Sequence, residues 1–192
     1  MHAIFALACV TVGASAAAHS GSLIGGGVGA GFVHPFSGLD HLLAMVAVGL
    51  WGAFLGRPLI VLLPVIFPSV MALGGALGMA GVDLPPVEIG IAVSVLGLGA
   101  MIALAVRAPV WVAAPIVAVF AIFHGFAHGQ ELPSAAEPVA YSLGFVFATG
   151  LLHVAGIGLG LINAVPRGIL VTRTIGAGIA AAGLWYLAQA LA

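Results

Sequence analysis

The sequence predicts an all-α integral membrane protein, and three observations carry that prediction. Of 192 residues, 63% are hydrophobic and only 5% charged, whereas a soluble domain carries about a quarter charged residues. The mean hydropathy is +1.32, and the apolar stretches recur at lengths near the roughly 20 residues that cross a hydrocarbon core as helix. Twenty-nine glycines favour close helix packing, because small residues let transmembrane backbones approach. Gly25/Gly29, Gly27/Gly31, Gly74/Gly78 and Gly156/Gly160 all have the small-xxx-small spacing, and such faces permit a homo-oligomer without demanding one. A net charge of −1 with no basic or acidic block excludes nucleic acid as a partner. The single Cys9 excludes an internal disulfide and any multi-thiolate metal site.

Residues 1–18 have a short apolar core and end in Ala16-Ala17-Ala18, a pattern for a secretory signal peptide cleaved after Ala18. Only Met1 and His2 precede the apolar run, without the usual positive charge, so an uncleaved first helix is the rival reading. Cleavage leaves 19–192 as a single six-helix transmembrane domain beginning at His19, whose amine and imidazole are available to metal outside the membrane. Pro35 lacks a backbone donor and disfavours helical angles at His34, so the first mature helix is expected to be kinked or broken at His34-Pro35. Residues 35–55 then form the first span. Hydropathy and its punctuation place the others at 59–80, 88–106, 110–129, 139–162 and 174–192, with Pro64, Pro68 and Pro115 inside spans.

Charge sets the orientation. Arg57, Arg107, Arg167 and Arg173 all fall in loops on one side, while Asp83, Glu88, Glu131 and Glu137 occupy the alternate loops. By the positive-inside rule the arginine side is cytoplasmic. Both the mature N-terminus and the C-terminus are therefore expected outside, in a multi-pass protein of the bacterial inner membrane.

The chemistry sits in two stretches. The first is His34-Pro35-Phe36-Ser37-Gly38-Leu39-Asp40-His41, followed by Met45. An ionisable group at the centre of a transmembrane helix costs about 2.5–3.5 kcal/mol on insertion scales, so a functional role is the default. On a continuous helix His34, Gly38, His41 and Met45 share one stripe, with His34 at the membrane boundary and His41 about 10 Å inside it. Asp40 is either a metal ligand or the carboxylate that orients His41, and Met45 either a thioether ligand or core packing. The second stretch is Phe123-His124-Gly125-Phe126-Ala127-His128-Gly129-Gln130-Glu131, in which His124, His128 and Glu131 share a helix face. Spans one and four run in opposite directions, and both clusters come out about 10 Å below the outer boundary. Glu88, at the outer start of span three, can reach the entrance. His153 lies deeper, in span five, either bonded to a neighbouring carbonyl or placed to receive an ion or proton from above.

These motifs resemble the HupE/UreJ family of hydrogenase and urease accessory membrane proteins. The resemblance rests on His34-x5-Asp40-His41 with Met45, Gly49 and Trp51, and on His124-Gly-x-Ala-His128-Gly-x-Glu131. It implies a nickel permease, in some members for cobalt, with a cleaved signal peptide and six spans. It also implies a metal site at His34, Asp40 and His41, extended to His124, His128 and Glu131. Some members carry a further histidine where this chain has Phe126. The function expected is import of Ni²⁺ or Co²⁺, bound transiently with no prosthetic group, for hydrogenase or urease maturation. Imidazole and carboxylate ligands suit Ni²⁺ and Co²⁺ but also Zn²⁺ and Cu²⁺, so an intramembrane hydrolase using His/Asp-bound Zn²⁺ is the alternative. No nucleotide-binding loop is present, and a secondary carrier is expected rather than an enzyme.

Overall fold

The structure, a computed structural model, describes residues 27–84, 86–130 and 138–192. The expected signal peptide, His19, Glu131 and Glu137 lie outside the described residues. Those residues form seven α-helices, with no strand among them: α1 Val28–Ser37, α2 Leu39–Leu55, α3 Leu59–Met79, α4 Val87–Ala103, α5 Val110–Gln130, α6 Pro138–Gly160 and α7 Gly168–Ala190, with a 3₁₀ turn at Leu161–Ala164. α3, α5, α6 and α7 are long and apolar enough to cross a membrane, and α1 with α2 makes a fifth span if the bent pair is one. α4 is apolar but only 17 residues long. The chain is a multi-pass membrane protein.

The break in the first span falls at Gly38, not at His34-Pro35. Pro35 is buried inside α1, which continues through it to Ser37. Losing one N–H removes a single helical bond, and that loss is outweighed where α1 lies on α6. There a Cβ at Gly31 would run into the Tyr141 carbonyl, and one at Gly144 into the Val28 carbonyl. The Ser37 hydroxyl donates to the His34 carbonyl at 2.6 Å, and Gly38 takes extended angles (φ −103°, ψ 112°). Its own carbonyl accepts from the Leu42 N–H at 3.0 Å, which starts α2. The two axes differ by 88°, so residues 35–55 are not one straight rod.

Two helix ends also differ from expectation. α4 stops at Ala103 rather than 106 because Ala105 turns left-handed at φ 53°. The Val106 N–H then donates to the Met101 carbonyl at 2.8 Å and that of Ala105 to Ile102 at 3.0 Å, a helix-ending turn usually built on glycine. α7 begins at Gly168, not 174, which puts Arg173 inside the helix. Its side chain is long enough to stay at the same end, where Nε donates to the Ala103 carbonyl at 2.7 Å.

α2 is the central rod. Ala44, Met45, Ala47, Val48, Leu50 and Trp51 are fully buried along it, as a helix apolar all round must be. α3, α4, α6 and α7 pack around it, α5 packs on α3, and α7 on α4. Glycine sets the closest crossing: Gly74 and Gly78 meet the Ile122 and Phe126 carbonyls of α5, while Gly125 and Gly129 meet those of Met71 and Gly75 on α3. At the arginine-bearing end, the Arg107 guanidinium lies 5.6 Å from the Phe54 ring centre, and the Trp51 indole donates to the Val106 carbonyl at 3.2 Å. Trp111, early in α5, and Trp185, late in α7, are exposed, as residues of an aromatic belt are.

Candidate functional site

The Gly38 break starts a new helix just before Asp40. The carboxylate therefore lies in the first turn of α2, where the helix dipole favours negative charge. Asp40 Oδ1 accepts from the backbone N–H of His41 at 2.8 Å and lies 2.9 Å from His41 Nδ1. A carboxylate only accepts, so Nδ1 carries the hydrogen and Nε2 keeps its lone pair. His41 Nε2 is buried with no hydrogen-bond partner among the described residues. Asp40 thus fixes the orientation of the His41 ring.

His124 is fixed the opposite way. The hydroxyl of Ser94, on α4, gives its one hydrogen to the Ile91 carbonyl at 2.7 Å and lies 2.7 Å from His124 Nε2. With its hydrogen committed, the hydroxyl accepts from Nε2, which leaves the lone pair on Nδ1. That nitrogen is also buried and unpartnered among the described residues. The ring centres of His41 and His124 are 4.6 Å apart. Two imidazoles of opposite tautomer, on α2 and α5, therefore sit side by side, each with one lone pair unspent.

The row continues beyond this pair. His128 lies 4.3 Å from His41 between ring centres, and its Nδ1 is 2.9 Å from His34 Nε2. His34 is therefore beside His128 and not on one helical stripe with His41. The 88° turn folds α1 across the end of α6 instead of extending α2, so His34 leaves the stripe that one straight helix would give it. The order is His34, His128, His41, His124. Among the described residues no three His, Cys, Asp or Glu groups converge on one point as a metal shell.

Aromatic rings wall the row. Phe145 lies 4.5 Å from His128 and Phe67 5.5 Å from His124, measured between ring centres. On the open side two cavities share Asp40 and His41. One, of about 240 Å³, is lined by His34, Ser37, Gly38 and His128. The other, of about 380 Å³, is lined by Glu88, Gln130, Tyr186 and Gln189. Glu88 thus stands in the same vestibule as Asp40. Met45 is fully buried in the apolar core, and Phe126 fills space as a buried side chain. His153 lies beyond Phe67, whose ring centre is 5.5 Å from its own.

Ser94, Phe67, Tyr186 and Gln189 were not singled out from the sequence. Ser94 had a usable signal, being the one hydroxyl in the apolar run of α4.

The family model described as HupE / UreJ protein matches residues 7–186. Protein HupE of Rhizobium leguminosarum bv. viciae is 46% identical over 177 residues, covering 92% of each chain. No solved structure matches. Both motif stretches lie within the matched residues, and the chain belongs to the HupE / UreJ family.

Proposed function

We propose that this protein is a secondary permease that carries Ni²⁺, and Co²⁺ as a close analogue, inward across the bacterial inner membrane. The single observation that supports it most is the pair of lone pairs at His41 Nε2 and His124 Nδ1 on rings 4.6 Å apart, each tautomer set by its own partner. The hydrated cation enters the acidic vestibule at Asp40 and Glu88, exchanges part of its water for imidazole, and passes along the row of histidines. A row offering one or two ligands at a time suits transport, since a site on a path must bind well enough to select and weakly enough to release. A hydrolytic Zn²⁺ takes three protein ligands, and a row offers a poorer basis for that reading. The outer face carries the vestibule and both termini, six helices span, and the arginine end faces the cytoplasm. Hydrogenase or urease maturation is the proposed destination of the metal, by way of the family to which the chain belongs.

The test is uptake of radioactive nickel at submicromolar concentration in cells lacking their own importers. The protein should raise uptake severalfold, with cobalt competing better than magnesium. Uptake equal to that of empty cells, from protein present in the membrane, would refute the permease.

A further inference from the structure

The outer row does not use every buried imidazole. His153, on α6, is 1% exposed, and neither ring nitrogen has a hydrogen-bond partner among the described residues. One turn nearer the outer end, the Thr149 hydroxyl is also fully buried and unpartnered among them, and the i, i+4 spacing puts it on the same face of α6. Buried polar groups in native proteins are almost always paired, so orphans mark an ion, a water or a functional group. A histidine kept for structure would be bonded to a neighbouring helix. The backbone here is fixed without help from the ring, because α6 crosses α2 where Gly49 meets the His153 carbonyl and Gly156 meets that of Val46.

Position gives the orphan pair a role. The Phe67 ring centre stands 5.5 Å from that of His124 and 5.5 Å from that of His153. His153 is thus the next metal-binding group inward from the row, one aromatic ring further on.

We infer that His153, with the Thr149 hydroxyl beside it, is an inner binding site for a first-row divalent cation, where the cargo halts after leaving His124. This rests on the transport reading. The ion exchanges ligands without any covalent or redox step, taking one imidazole nitrogen and the Thr149 hydroxyl oxygen and keeping water on its remaining positions.

The test compares the unaltered protein with His153→Leu and His153→Gln, by nickel uptake into proteoliposomes and by thermal unfolding in detergent. Both variants should unfold within a few degrees of the unaltered protein, since no hydrogen bond is lost, and His153→Leu should take up nickel at least tenfold more slowly. Uptake at the unaltered rate in His153→Leu would overturn the inner site while leaving the permease standing. A large fall in unfolding temperature in both variants would also overturn it, by showing a structural histidine. If the unaltered protein itself moves no nickel, the permease fails and the inner site is judged by equilibrium dialysis with Ni²⁺. Nickel retained by a His41→Ala, His128→Ala protein and lost on adding His153→Leu sustains the site; no retained nickel refutes it.

Discussion

At the scale of single residues, the site works through hydrogens placed by neighbours. Asp40 holds the hydrogen of His41 on Nδ1, and Ser94 holds that of His124 on Nε2, so each ring keeps a lone pair on its other nitrogen. Partners of this kind commonly change metal affinity by about 10- to 100-fold when removed. Ser94→Ala should accordingly weaken nickel binding by about tenfold, measured by dialysis, while the protein remains folded and inserted. Protonation acts on the same lone pairs. An imidazole must be neutral to bind metal, so a proton competes with the cation for each ring. Initial nickel uptake should therefore fall as external pH is lowered, and a rate independent of pH would count against histidine ligation at the entrance. The sequence made His34, Asp40, His41, His124 and His128 legible as a group, because charge and imidazole stand out in apolar helices. It did not show Ser94, whose importance depends on a neighbour thirty residues away, nor which nitrogen of either ring is available.

At the scale of helices, glycine decides what can approach what. α3 and α5 are in backbone contact through Gly125 against the Met71 carbonyl, and this crossing holds His124 and His128 in place. Gly125→Val should cost roughly 1–3 kcal/mol through overpacking and abolish uptake. Gly150 and Gly158 on α6 have open space around them, and alanine there should leave uptake intact and add up to about 1 kcal/mol of helix propensity each; thermal unfolding of the three variants checks both outcomes. Ala105 is left-handed at φ 53°, a conformation that costs a non-glycine residue roughly 1 kcal/mol, so Ala105→Gly should raise the unfolding temperature. Helix positions were readable from hydropathy because each apolar run is bounded by proline, glycine or charge. The first break was misplaced by three residues. Proline is the strongest local signal, but the packing of α1 on α6 keeps Pro35 helical, and the turn passes to Gly38, which has no Cβ and precedes a residue able to start a new helix.

At the scale of the whole molecule, the bend at Gly38 and the antiparallel run of α2 and α5 bring two distant motifs into one row beneath an acidic vestibule. The meeting of spans one and four was legible by counting depth along antiparallel helices; the sideways displacement of His34 was not, since it depends on an angle that periodicity does not encode. Orientation belongs to this scale too. With the arginine end in the cytoplasm, a membrane-impermeant maleimide should label Asp83→Cys but not Val165→Cys from outside, and the reverse pattern would invert the proposed direction of transport. On the permease reading, nickel moves through the paired lone pairs of His41 and His124. Nickel entry into sealed proteoliposomes carrying an internal metal-responsive dye, under an imposed inside-negative potential, tests it most directly when the unaltered protein is compared with His41→Ala and His124→Ala at equal density. Entry should be rapid for the unaltered protein and near that of empty liposomes for each variant. Unaltered entry in either variant would contradict that reading.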